Sequence, residues 1–151
     1  MTSYNHDDTL DIVRKLLEHE HGTDNYRVYM LMWATENGDL QVIQELLNNT
    51  TYSEADLDLS LIPASRNGHL DIVKLLLKLK AKPASYDSLA LTTASRNGHL
   101  DVVTELLNNG ANAAADQSQA LVWASKNNHL QIAKLLLENG ADQSKMIKQL
   151  D

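Results

Sequence analysis

The sequence predicts an all-α fold, an α-solenoid built from one short repeating unit. Three observations predict it. The segment ASRNGHLD at residues 64–71 returns unchanged at 94–101 and in altered form at 34–41 and 124–131. Leu recurs every 30 residues without insertion, at positions 10, 40, 70, 100 and 130. Gly or Asn recurs at one point of the four later units, at positions 38, 68, 98 and 128. A fixed period of this length is typical of solenoids, in which each unit buries its apolar face against its neighbours.

The period divides the chain into five frames. We expect a single repeat domain over 1–151 with about five helix-turn-helix units, in the frames 1–30, 31–60, 61–90, 91–120 and 121–150. A length of 151 residues and a hydrophobic content of 43% suit one globular domain.

The first helix of each unit is predicted most clearly in the frame 91–120. Ser88 is a suitable N-cap, and Leu91, Ala94 and Ser95 then share one side of a short helix. Gly98 follows at the C′ position, where a left-handed conformation is almost free for Gly and tolerable for Asn.

A second helix follows in the same frame. Its apolar positions form a stripe wide enough to pack against both its partner helix and the next unit: Leu100, Val102, Val103, Leu106 and Leu107. Gly110, like Gly140, is predicted to close this helix.

Pro63 conflicts with the pattern of the first helices. If Asp58 capped its helix, as Ser88 and Ser118 suggest for theirs, Pro63 would lack a donor in the second turn. A cap at Ser60 would place it in the first turn, where no donor is needed. We therefore predict that this helix starts late or kinks.

The His residues at 69, 99 and 129 are predicted to be structural. They lie one unit apart, and packed helices are about 8–10 Å from one another, whereas zinc holds its nitrogen ligands at about 2.1 Å. Thr9 and Asp39 share the column and are good N-cap types, so the position is expected to start the second helix. A Ser-His-Asp triad is rejected because the same residues are copied in several units with no pocket implied.

The sequence resembles the ankyrin repeat family. The resemblance is carried by Gly-His, then Leu-x-(Ile/Val)-Val-x-x-Leu-Leu, then Gly-Ala-(Asn/Asp), and is strongest at 98–112. It implies an ankyrin-type stack that binds a partner protein on its concave helical face. Each connecting finger is three residues shorter than in the family, which shifts the expected recognition toward the helical face.

A second departure lies in the Thr-Pro-Leu-His-x-Ala opening of the family, of which only Leu and Ala remain here. The polar link between repeats that the His of that opening provides is therefore in doubt, and Met32, Ile62 and Val122 are candidates for apolar replacements. Trp33 and Trp123 fall on a position that is usually core, so we interpret them as packing residues.

The charge of the chain restricts the kinds of partner that it can bind. Residues 1–60 carry twelve acidic and three basic residues (−9), and residues 61–151 carry eight and ten (+2), which gives the net charge of −7. This acidity argues against nucleic-acid binding, which relies on Lys and Arg neutralising phosphates. A solvated acidic surface also favours a monomer.

Two columns are candidates for partner binding. The first faces out of the groove and suits a partner with an acidic surface, since Arg binds carboxylates bidentately: Glu36, Arg66, Arg96 and Lys126. The second lies in the shortened fingers, where exposed Tyr suits an interface: Tyr26, Asp56, Tyr86 and Asp116. The alternative for the first column is that its cations serve only the helix dipole and solvent.

The sequence thus predicts a protein–protein interaction module without catalytic, cofactor or metal residues. No phosphate-binding Gly loop, HExxH motif or Cys is present. Without Cys, secretory signal or membrane-spanning run, a cytoplasmic location is expected. The resemblance extends to repeats of intracellular bacteria and large viruses and implies a host-directed effector or scaffold, delivered to a host cell cytoplasm. Two alternatives are a regulatory or targeting fragment of a multidomain enzyme and a self-assembling module.

Overall fold

The computed structural model describes residue 11, residues 13–15 and residues 24–147. These residues form helices joined by short loops, and no strand occurs among them. Beyond a helical segment at 11–15, of which residue 12 is not described, the helices are α1 (Asp24–Asn37), α2 (Leu40–Asn49), α3 (Glu54–Arg66), α4 (Leu70–Lys78), α5 (Ser85–Asn97), α6 (Leu100–Asn108), α7 (Ala115–Lys126), α8 (Leu130–Glu138) and α9 (Ser144–Ile147). The predicted all-α fold is confirmed.

The helices stack in two layers. The first helices of successive units pack side by side in the order α1, α3, α5, α7 and α9. Each of α1, α3, α5 and α7 also packs against the second helix of its own unit, and α4, α6 and α8 pack in sequence to form the second layer. The molecule therefore extends by adding helix pairs, as the 30-residue period predicts.

The core lies between the two layers and repeats with the chain. Leu31, Leu61, Leu91 and Leu121 of the first helices are at most 1% exposed. The second helices contribute equivalent buried positions, such as Val103 and Leu106 of α6. Each buried Leu contributes about 1.5–3 kcal/mol through removal of apolar surface from water. The repeat of the sequence is thus a repeat of the core.

The glycines between the helices are required for two separate reasons. Gly38, Gly68 and Gly98 have φ between +75° and +83°, as the left-handed C′ position predicts. A Cβ at Gly98 would also lie 2.6 Å from Cε1 of the His129 ring, and the two other glycines face His69 and His99 in the same way. The sequence predicted the first reason but not the second.

His and Asn side chains link each unit to the one before it. Nδ2 of Asn97 and Nε2 of His99 both donate to the backbone carbonyl of Arg66, at 2.7 and 2.9 Å. The carbonyls of Glu36 and Arg96 accept the equivalent pairs, from Asn67 with His69 and from Asn127 with His129. Since a carbonyl oxygen only accepts, each Nε2 carries the hydrogen. We call this set the carbonyl ladder.

The carbonyl ladder supplies the polar link between units that the sequence left in doubt. The column of 39, 69, 99 and 129 precedes each second helix as predicted, and Asp39 caps α2 by accepting from the Val42 N–H at 3.0 Å. His69, His99 and His129 make no side-chain cap bond, because their rings turn to the preceding unit instead. Thr9 of the same column lies outside the described residues.

A second set of links runs between the layer of first helices and the next loop. Ser88 and Ser118, both buried, accept the backbone N–H groups of Asn112 and Asp142 at 2.9 and 2.8 Å. The prediction that these Ser cap their own helices is therefore wrong, because their hydroxyls bond the following unit. Asp58 has the same role, with the Lys82 N–H at 2.5 Å.

Left-handed turns precede two of the first helices. Residues 86–88 and 116–118 have φ between +43° and +60°, so the right-handed parts of α5 and α7 begin at residues 89 and 119. Each such non-Gly residue costs about 1–2 kcal/mol. Ser88 and Ser118 end these turns, and their bonds to the next unit help to hold them.

The prediction that the helix containing Pro63 starts late or kinks is wrong. α3 starts early, at a capping box in which Ser53 Oγ accepts the Asp56 N–H and the Asp56 carboxylate accepts the Ser53 N–H. The helix then continues through Pro63 to Arg66. Pro63 is buried beside Leu61 and Ala64, and this packing and the strong cap offset the loss of one donor.

Candidate partner-binding face

One side of the first helices is largely exposed in the part of the chain that the structure describes. Positions 29, 33 and 36 of α1 lie three or four residues apart, on the side opposite the buried Leu31 and Ala34. We call these positions and their equivalents 30, 60 and 90 residues later the first-helix face. Its exposed or half-buried members are Tyr29, Trp33, Glu36, Leu59, Arg66, Leu89, Thr93, Arg96, Gln119, Trp123 and Lys126, whereas Pro63 at the equivalent position of α3 is buried.

The first predicted column lies on this face as a continuous row at the C-terminal ends of the first helices. All four of its side chains are exposed: Glu36, Arg66, Arg96 and Lys126. Arg66 Nη1 is 3.8 Å from Glu36 Oε1, with both side chains about half exposed. An exposed ion pair of this kind contributes about 0–1 kcal/mol. We call the three cations Arg66, Arg96 and Lys126 the basic row.

Trp123 holds part of the basic row in place. The Arg96 guanidinium carbon lies 4.2 Å from the centroid of the Trp123 ring, and Lys126 Nζ lies 5.5 Å from it. Cations at these distances are attracted to the ring face by about 0.5–1 kcal/mol at exposed sites. Two cations from neighbouring units thus converge on one aromatic ring.

The two Trp residues, interpreted from the sequence as packing residues, lie at the margin of the core. Trp33 is 38% exposed and Trp123 is half-buried. The buried positions of the first helices are taken by the neighbouring Leu and Ala columns, so the Trp column falls at the margin of the core and turns to the first-helix face.

The second predicted column is not brought together as one row. Tyr26 lies on the right-handed helix α1 and is 41% exposed, while Tyr86, 49% exposed, belongs to a left-handed turn. Asp116 is exposed in the other left-handed turn. Asp56 is half-buried, and its carboxylate accepts the Ser53 N–H at 2.8 Å in the capping box. Asp56 therefore has a local structural role.

Sequence reasoning missed the apolar part of the face. Tyr29 is 75% exposed and Leu89 is 40% exposed, with Leu59 half-buried between them in the column. A signal was present, because position 29 lies three residues after Tyr26 and four before Trp33, which places three aromatic residues on one side of a helix. Tyr26, Tyr29 and Trp33 are all exposed, and such a group of large apolar side chains marks an interaction site.

Electrostatic shifts occur away from this face. Burial raises the pKa of Tyr52 to about 12, and its hydroxyl donates to the Arg27 carbonyl at 3.3 Å. The Glu54 carboxylate beside Lys82 raises the pKa of that amine. Glu54 and Lys82 line an open surface depression of about 660 Å³ together with Leu77, Pro83 and Gly110.

The described residues offer no metal centre. Among residues 11, 13–15 and 24–147, no three His, Asp or Glu side chains are placed to hold an ion. Shallow depressions of about 380 and 370 Å³ lie beside His129 and His69 at the starts of α8 and α4. Since the same depression recurs in equivalent positions, it follows from the repeat and marks no unique site.

The fold and this open face define a helical-repeat protein of the solenoid class. The family comparison agrees, because a family model described as ankyrin repeats (3 copies) matches residues 1–87 and again residues 61–147. The chain belongs to the ankyrin repeat family, whose repeats are generally protein–protein interaction modules and typically not enzymes. No curated protein matches the sequence. In the described part of the chain, no helix is long and apolar enough to cross a membrane.

Proposed function

We propose that the chain is a binding module whose first-helix face holds a partner protein. The observation that carries the proposal is the exposure of Tyr29 and Trp33 on α1 and of Leu89 on α5, on the same face as the basic row. A few residues supply most of the binding energy at interfaces, and Trp, Tyr and Arg are enriched among them.

The rigid stack favours this use of the face. The carbonyl ladder fixes the backbone at Arg66 and Arg96, so the face is formed before the partner arrives. A preformed surface loses less conformational entropy on binding. The finger tips are short, which leaves the helices as the larger continuous surface.

The test is selection of ligands from a random peptide display library, followed by fluorescence of the two Trp residues. Trp33 and Trp123 are the only Trp in the sequence, and both lie on the first-helix face. A ligand bound there shifts their emission, and the variant Tyr29→Ala/Leu89→Ala weakens binding at least ten-fold. The matched control, Leu79→Ala/Leu130→Ala, removes exposed Leu outside the face and leaves binding unchanged. Equal losses in the two variants would contradict the proposal.

The finer expectations extend the proposal. We propose that the chain is a monomer and that one molecule carries the whole first-helix face. Such a molecule suits the role of a scaffold or a host-directed effector in the cytoplasm. Sedimentation velocity measures the oligomeric state, and imaging of the tagged chain in a host cell measures its location. A concentration-dependent dimer would favour the self-assembling alternative.

A further inference from the structure

The backbone positions of the basic row are regularly spaced. Its three cations come from successive first helices, one from each of α3, α5 and α7. The carbonyl ladder joins α3 to α5 and α5 to α7 at the backbone of the row itself, because the carbonyls of Arg66 and Arg96 accept from the next unit. Packed helices lie about 8–10 Å apart, so the backbone positions that carry the three cations recur at about that interval. The side chains themselves lean away from even spacing, Arg66 toward Glu36 and Arg96 toward Trp123.

Of the regular backbone conformations, polyproline II fits this interval best. It has three residues per turn and a rise of 3.1 Å per residue, so every third side chain faces the same way at intervals of about 9 Å. Side chains on one face of a β-strand recur at about 7 or 13 Å. One or two turns of an α-helix give about 5 or 11 Å.

The chemistry of the row favours carboxylates. A guanidinium stacked on an aromatic ring, as Arg96 is on Trp123, keeps its N–H edge for bidentate bonds to a carboxylate. The Arg66–Glu36 pair is exposed and weak, so a ligand carboxylate can replace Glu36. Exposed Asp87 and Asp116, at the opposite ends of α5 and α7, repel an acidic ligand from that edge and direct it to the row.

We propose that the first-helix face binds an acidic segment in polyproline II conformation, with a carboxylate at every third residue. Each carboxylate pairs with one cation of the basic row, and the residues between face Leu59, Leu89 and the Trp side chains. This inference rests on the proposed function, since it names the chemistry of the partner for the same face.

The experiment compares three labelled twelve-residue peptides by fluorescence anisotropy with the whole chain at low ionic strength. The first is (Glu-Pro-Pro)4, the second has the same composition with its four Glu contiguous, and the third is (Lys-Pro-Pro)4. One variant changes all three residues of the basic row to Glu. Its control makes the same charge change at exposed cations of the second helices: Lys74→Glu, Lys78→Glu and Lys134→Glu.

We expect the spaced Glu peptide to bind at least ten-fold tighter than the contiguous one, and the Lys peptide not to bind. Exposed ion pairs each contribute a factor of about 1.4 to five, so losing three weakens binding by about three- to 100-fold, and the new carboxylates repel the acidic peptide further. The control variant should lose much less. Equal affinity for the two Glu peptides, or equal losses in the two variants, overturns the inference.

The library selection separates this inference from the proposed function. Selected peptides that change Trp emission but lack acidic residues at every third position overturn the inference and leave the proposed function intact. Selected peptides that leave Trp emission unchanged contradict the proposed function itself.

Discussion

Replacing Gly98 by Ala tests how the units are joined. Gly98 has φ +83°, and a Cβ there would lie 2.6 Å from Cε1 and 2.9 Å from Nδ1 of His129. A left-handed Ala costs about 1–2 kcal/mol, partly offset by the lower entropy of its unfolded chain. The ring of His129 must also move, which breaks its bond to the Arg96 carbonyl, at 3.1 Å, for about another 0.5–1.5 kcal/mol.

We therefore expect Gly98→Ala to lower the free energy of unfolding by about 2–3 kcal/mol. The matched control is Gly110→Ala, because Gly110 has φ +97° and nothing within 4 Å of its Cβ position. Gly110→Ala should lower the free energy of unfolding only by the cost of a left-handed Ala, about 1 kcal/mol. Urea denaturation followed by circular dichroism measures both.

A double-mutant cycle isolates the ring contact. In a His129→Ala background the clash is absent, so Gly98→Ala should cost about 1 kcal/mol, the same as Gly110→Ala. Costs for Gly98→Ala and Gly110→Ala that agree within about 0.5 kcal/mol in the otherwise unchanged chain would refute the reasoning.

Three further predictions follow from individual side chains. Ser65 and Ser95 are fully buried, and their hydroxyls have no hydrogen-bond partner. Replacing either Ser by Ala should therefore raise the free energy of unfolding by about 0.5–1 kcal/mol. A lower free energy of unfolding in urea denaturation would show that the hydroxyl is hydrogen-bonded. Lys80 has φ +78° at the position that Gly110 and Gly140 occupy in later units. Lys80→Gly should therefore raise the free energy of unfolding by about 0.5–1 kcal/mol. A lower melting temperature of this variant would contradict the prediction. The pKa of Tyr52, raised from 10.0 to about 12, means that its phenol stays protonated longer in the folded state. The contribution of Tyr52 to the free energy of unfolding is therefore fully present below pH 10 and is lost between pH 10 and 12. The free energy of unfolding should fall less steeply over this range in Tyr52→Phe. Identical pH profiles for the two proteins would disprove the raised pKa of Tyr52.

The local pattern predicted much of the fold. The second helices, the left-handed Gly column and the stacking of units all follow from residues within one 30-residue period. These features depend on spacing and backbone conformation, which a sequence shows directly.

The errors arise where distant residues decide the structure. Ser88 was expected to cap its own helix, but its hydroxyl bonds Asn112, 24 residues away. The His129 ring donates to the Arg96 carbonyl, 33 residues away in the sequence. The pattern within one repeat therefore does not predict this hydrogen bond. The helix that contains Pro63 starts early because of the Ser53 capping box. The equivalent positions of later units hold Pro83 and Ala113, so the repeat pattern does not predict this cap.

The candidate site was predicted only in part. The basic row was correctly expected to be exposed, and its role in binding stays a prediction. The apolar part of the face was missed because Trp33 was assigned to the core by its column. The packing of the helices shows that the Leu31 and Ala34 columns fill the core and leave Trp33 at its margin.

The measurement that tests the central claim most directly is acrylamide quenching of Trp33 and Trp123 with and without a saturating selected ligand. The variants Trp33→Phe and Trp123→Phe separate the two signals. Binding across the first-helix face predicts that the ligand protects both indoles from the quencher. Unchanged quenching of both at saturation would show that the partner binds elsewhere on the stack.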